Sequence, residues 1–110
     1  MALTDKKCKS CEDKNTKGLT LEEISDLLIQ VPGWVLSPDG DVISREFKFS
    51  SFPNAIDFVS DVAKIAENEG HHPDMHVSYD KVRVDISTHS IKALTENDFI
   101  LAAKIDGVVR

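Results

Sequence analysis

One long helical stripe, flanked on each side by alternating runs, constrains this chain more than any other feature. Between Pro53 and Gly70, the residues Ala55, Ile56, Val59, Val62, Ala63 and Ala66 recur at the three- and four-residue spacing of a helix face. Pro53 suits the first turn, where its missing N–H costs nothing, and Gly70 suits a left-handed cap. Before the stripe, "DVISREFKFS" sets Ile43, Phe47 and Phe49 on one face and Ser44, Glu46 and Lys48 on the other, the period of a half-buried strand. The short run "GWVLS", reversed by "PDGD" at 38–41, pairs with it as a hairpin. After the stripe, "MHVSY" and "KVRVDIST" are joined tightly at Asp80-Lys81 and form a second hairpin.

Two further helices complete the order. Thr20 with Glu23 matches a capping box, followed by Leu21, Ile24, Leu27, Leu28 and Val31 at helical spacing, and Pro32-Gly33 ends that helix. Thr95 and Asp98 resemble another cap, leading into "FILAAKI". The expectation is an α+β fold of order α-β-β-α-β-β-α, with a four-stranded antiparallel sheet and its helices packed on one face. The last helix is apolar nearly all round through Phe99, Ile100, Leu101, Ala102 and Ala103, which points to burial on two sides and to self-association.

Residues 1–18 are polar and lack hydrophobic period, so they read as a flexible leader that carries no core, with a single domain over 19–110. A net charge of −6 works against polyanion binding, so no nucleic acid is expected as a partner. No apolar run follows the N-terminal lysines as a secretory signal requires, and none approaches the roughly 20 residues of a membrane span. A cytoplasmic protein that engages no membrane is the expectation. Both cysteines lie in the leader, which argues against a disulfide framework, and no Gly-rich phosphate loop is present.

Two of the four histidines, His71 and His72, stand directly after the helix-ending Gly70. Pro73 biases His72 toward an extended conformation, so the two rings are expected to point different ways. In "KVRVDISTH", Val82, Val84, Ile86 and Thr88 share one strand face, while Arg83, Asp85, Ser87 and His89 share the other. Three imidazoles converging from a helix exit and a strand end would make a proton-transfer site near neutral pH. The structural alternative is that histidines at a helix end cap carbonyls or favour the negative end of the dipole.

The pattern of Glu67, three residues, His71-His72-Pro73, then Tyr79, His89 and Asp98 resembles the signature of the pterin-4a-carbinolamine dehydratases. The likeness extends through "LEEISDLLIQVPGW", "FKFSSF" and "DISTHSIKALTENDFILAAKI", covering roughly residues 20–107. It implies a small enzyme without cofactor or metal that dehydrates 4a-hydroxytetrahydropterin to quinonoid dihydropterin, recycling the pterin of aromatic amino-acid hydroxylases. It also implies His71, His72 and His89 as catalytic residues and Glu67, Pro73, Ser87, Thr88 and Trp34 as substrate-binding ones. Glu67 either orients His71 or is a solvated carboxylate, Trp34 is a core aromatic or a stacking wall, Asp98 is a helix cap, and Tyr79 packs in its hairpin. Met75 and Asn97 depart from animal members at the presumed pocket rim.

Family members form dimers or tetramers, so a homodimer or homotetramer is expected. Animal members also serve as dimerisation partners of a homeodomain transcription factor, which keeps a non-catalytic binding module open. A third reading joins Cys8 and Cys11 of "CKSC" with His71, His72 and His76 in a zinc site.

Overall fold

The structure, a computed structural model, describes Leu3 and residues 18–88, 91 and 93–108. Cys8, Cys11 and His89 lie outside the described residues. The elements run α1 (Leu21–Leu28), β1 (Val35–Leu36), β2 (Ile43–Lys48), α2 (Phe52–Glu69), β3 (Asp74–Ser78), β4 (Lys81–Ile86) and α3 (Glu96–Asp106). The order and the α+β class agree with the sequence pattern. The four strands form one antiparallel sheet in the order β1-β2-β4-β3, so the two hairpins join through β2 and β4, with Phe47 opposite Val82 and Ile43 opposite Ile86.

Alternation decides which sheet face the helices cover. Ile43 and Phe47 of β2 and Val82, Val84 and Ile86 of β4 are buried, while Ser44, Glu46, Arg83 and Asp85 occupy the opposite face. Phe47 and Phe49 meet Phe58 of α2 with ring centroids 4.7 and 5.0 Å apart, at tilted angles within the favoured range for aromatic pairs. The inward face of α2 is thus Ala55, Phe58, Val62 and Ala66, and not quite the stripe read from spacing. Ile56 and Ala63 are exposed and Val59 is half-buried, because the stripe is wider than the surface available to cover it.

The other differences have equally local causes. Helix α1 stops at Leu28, well before Pro32, because the chain leaves the helix in a series of turns that buries Val31 and leaves Ile29 outside. Leu21, in its first turn, is exposed as well. The second hairpin turns at Tyr79-Asp80, one residue earlier than expected. Tyr79 adopts φ 57° and is 72% exposed, so it stands out from the turn and does not pack in the hairpin. Leu3 is buried in the hydrophobic core, contrary to a leader without core residues. Helix α3 packs against α1 and α2 and buries Asn97 to Ala102 and Ile105 within its own chain. Its apolar circumference is therefore accounted for by this fold and supplies no argument for self-association.

At the C-terminal end of α3, Asp106 accepts from the Trp34 indole at 3.0 Å and from Arg45 at 2.8 Å. The Arg45 guanidinium also lies 4.7 Å over the Phe47 ring. Burial pushes the Asp106 carboxyl above the 3.8 of an ordinary aspartate, outweighing the lowering effect of the Trp34 and Arg45 contacts. A carboxyl raised on folding contributes stability that is full below its unfolded value and lost as pH rises through its folded value. Asp106→Asn keeps an oxygen for the indole and removes the titration. Urea midpoints should show this substitution costing less stability at about pH 7 than at about pH 4.

Candidate active site

Helix α2 ends because Gly70 takes a left-handed conformation, φ 67° and ψ 26°, which a side chain would resist. The His71 amide then bonds back to the Ala66 carbonyl at 3.2 Å, which fixes the angle at which the chain leaves the helix. A second anchor holds the same turn, since Lys104 of α3 reaches the buried Glu69 carboxylate at 2.8 Å. From this exit the two histidines diverge, as Pro73 suggested.

His71 turns inward and is buried, with Nε2 2.6 Å from Oδ1 of Asp98. His72 turns outward, its side chain 59% exposed, with Nε2 2.7 Å from Oε1 of Glu67. Glu67 therefore partners His72 and not His71. Five residues separate the two along the chain, and only the sharp turn at Gly70 brings them together.

Asp98 does more than cap a helix. Its carboxylate is fully buried, and Oδ2 accepts from the Thr95 amide at 2.8 Å and from the Thr88 hydroxyl at 2.9 Å. The Thr95 hydroxyl lies 2.9 Å from that of Thr88; because Thr88 directs its hydrogen to Asp98, Thr95 donates to Thr88. One carboxylate thus ties the exit of α2, the end of β4 and the start of α3. The capping position was legible in the sequence; the bond to His71 was not, because it spans 27 residues.

The strands bring the remaining candidates to the same end of the sheet. Asp74 opposite Asp85 is the last pair of the β3-β4 ladder, and His72 and Ser87 each lie just beyond it. Pro73 and Ser87 are half-buried there. Thr88, covalently next to His89, sits on the carboxylate that holds His71. Its own amide and carbonyl bond within the following loop, to Ala93 and Ile91, so its backbone is not an open recognition element.

Trp34 is placed elsewhere. It is buried, edge-on to Phe47, and bonded to Asp106 at the far end of α3 from Asp98, about 12 Å along the helix axis. It is a core aromatic. Met75 faces Val84 and packs against the core, while Asn97 is buried beside Asp98. His76 lies on the sheet face opposite the helices, 3.2 Å from Asp85. The three described histidines therefore engage three different carboxylates, and among the described residues no group of three or more His, Cys, Asp or Glu is arranged to hold a metal ion. A groove of about 370 Å³, lined by Phe49, Asn54, Asp57, Phe58, Asp61 and Val108, runs along the opposite half of α2 and contains none of these site residues.

An α+β domain whose long helix delivers an inward and an outward imidazole, each held by a carboxylate, to one end of its sheet has the parts of a proton-transfer site. The chain belongs to the pterin 4 alpha carbinolamine dehydratase family, whose model matches residues 17–108. It is 44% identical to a putative pterin-4-alpha-carbinolamine dehydratase of Halorhodospira halophila, over 98% of each chain. It is 48% identical over 94% of its length to the mitochondrial pterin-4-alpha-carbinolamine dehydratase 2 of Arabidopsis thaliana, of which it spans 57%. The crystal structure of a transcriptional coactivator/pterin dehydratase from Brucella melitensis superposes with a TM-score of 0.81 at 33% identity, covering 86% of this chain and all of that one. A pterin dehydratase-like RuBisCO assembly factor of the alpha-carboxysome is alike in fold alone, with a TM-score of 0.60 at 21% identity over 68% of this chain and 87% of that one.

Proposed function

We propose that this protein is a 4a-hydroxytetrahydropterin dehydratase, a hydro-lyase that releases water from the 4a-carbinolamine and leaves the quinonoid dihydropterin. Family membership supports the reaction, and the paired imidazoles at the exit of α2 are the observation that carries the mechanism. Loss of the hydroxyl requires an acid that gives a proton to the departing oxygen as the C–O bond breaks. It also requires a base that takes the proton of the adjacent ring nitrogen as the C=N bond forms. One proton enters and one leaves, so the site is restored when the two groups re-equilibrate, and imidazoles suit both tasks near neutral pH.

His72, exposed and steadied by Glu67, is the group best placed to meet a ligand. His71 supports the same site from within, and His89 is assigned with them because Thr88, its neighbour in the chain, lies on the His71–Asp98 carboxylate. Ser87, Pro73 and Glu67 border the ligand, with neither cofactor nor metal. The protein works in the cytoplasm as a homodimer or homotetramer and recycles the tetrahydropterin of a hydroxylase. Among the described residues no helix is long and apolar enough to cross a membrane. The zinc and binding-module readings are not favoured, since the described histidines lie apart on three different carboxylates and the relatives at 44% and 48% identity are named as dehydratases.

The test is direct. Carbinolamine generated in situ by a pterin-dependent hydroxylase decays spontaneously, and purified protein should accelerate the appearance of quinonoid dihydropterin absorbance, before and after dialysis against a chelator. A decay rate independent of protein concentration overturns the proposal.

A further inference from the structure

We infer that Asp98 is a positioning residue that holds His71 in a single tautomer, with the proton on Nε2, so that His71 exchanges protons only through Nδ1. The inference deepens the dehydratase reading and rests on it for its kinetic consequence, though not for the tautomer itself.

The argument is one of donor count. Asp98 is fully buried, and its Oδ2 already accepts two hydrogens, from the Thr95 amide and the Thr88 hydroxyl. A carboxylate oriented in this way presents Oδ1 as an acceptor, and among the described residues the group it meets is Nε2 of His71 at 2.6 Å, a charge-assisted distance. An imidazole nitrogen facing an acceptor at that separation must carry the hydrogen. Whether the ring is neutral or doubly protonated, Nε2–H is common to both forms, and only Nδ1 changes its proton.

The surrounding structure makes this arrangement rigid. The carboxylate is fixed by the first turn of α3 and the end of β4, and the imidazole by the His71 amide on Ala66 and the left-handed Gly70. A buried carboxylate that orients an imidazole for proton transfer lowers the entropy of the reacting pair before substrate arrives. It does so without touching substrate.

Asp98→Asn tests the inference, because the amide oxygen can still accept from Thr95 and Thr88 while the amide nitrogen then faces His71. Nε2 must accept that N–H, and the proton moves to Nδ1. Nitrogen-15 NMR of the histidine rings should therefore show Nε2–H for His71 in the wild-type protein and Nδ1–H in Asp98→Asn. In the dehydration assay the variant should lose about 10-fold or more in kcat, with KM within about twofold and a displaced pH–rate profile. Thr88→Val, which removes one donor from Oδ2 but leaves the face toward His71, should keep the Nε2–H tautomer.

A merely structural Asp98 predicts a lowered melting temperature with tautomer and pH profile unchanged, and that result overturns the inference. So does Nδ1–H in the wild-type protein, a measurement that stands even where Asp98→Asn fails to fold. A wild-type protein with the expected tautomer and no dehydration would instead overturn the functional reading alone.

Discussion

His72→Ala is expected to lose dehydration activity by about 10²–10⁴-fold while melting within a few degrees of the wild-type protein. The size follows from removing one positioned proton-transfer group, and the silence in stability follows from exposure, since the ring is 59% exposed and touches a carboxylate that is 80% exposed. The comparison with His71→Ala gives the result its meaning. Removing the inward ring leaves Oδ1 of Asp98 buried and without its donor, which costs about 1–3 kcal/mol. Adjacent and chemically identical residues should therefore separate in a thermal melt, although both belong to the proposed site. Replacing the pair together confounds the two effects, so the single variants are the informative ones. A His72→Ala protein with wild-type kcat and KM would remove the outward imidazole from the mechanism.

The largest expected loss of stability lies at Phe99. Its side chain is fully buried in the first turns of α3, in the same cluster as Phe58, Val84 and Ile100. Phe99→Ala removes a large apolar surface and leaves a cavity, for about 3–5 kcal/mol, a large part of the ~5–15 kcal/mol that holds a domain of this kind together. Ile29→Ser makes the control, because Ile29 is 77% exposed and its replacement should change the urea midpoint little. Equal losses at the two positions would contradict the assignment of α3 as the core helix.

Much of this architecture was legible because its signals are local. Strand alternation, the capping box at Thr20, the proline and glycine that bound α2, and the turn at Gly40 each depend on a few neighbouring residues and on backbone preferences that act at short range. The misreadings have different causes. Ile56 and Leu21 belong to apolar stripes by spacing, yet they are exposed, because the described residues do not cover that part of either stripe. Phe58 was passed over, although it joins the sheet aromatics to α2. Tyr79, expected inside the hairpin, occupies the turn itself.

The site divides along the same line. That His71 and His72 would follow a helix end and diverge was readable from glycine and proline alone, since both act through the dihedral angles of their immediate neighbours. Which carboxylate each would find was not. Glu67, read either as orienting His71 or as a solvated carboxylate, is exposed and meets His72, while Asp98, read as a helix cap within the family signature, meets His71 from the start of another helix.

Taken by itself, the sequence determined the order of the elements, their caps and the place where two imidazoles leave α2, since those depend on local torsional preference and on the period of apolar residues. Only the tertiary structure decided which apolar residues are covered, which end of α3 Trp34 joins, and which acid holds which histidine. Those outcomes arise from contacts between segments far apart in the chain, whose partners depend on how whole surfaces pack.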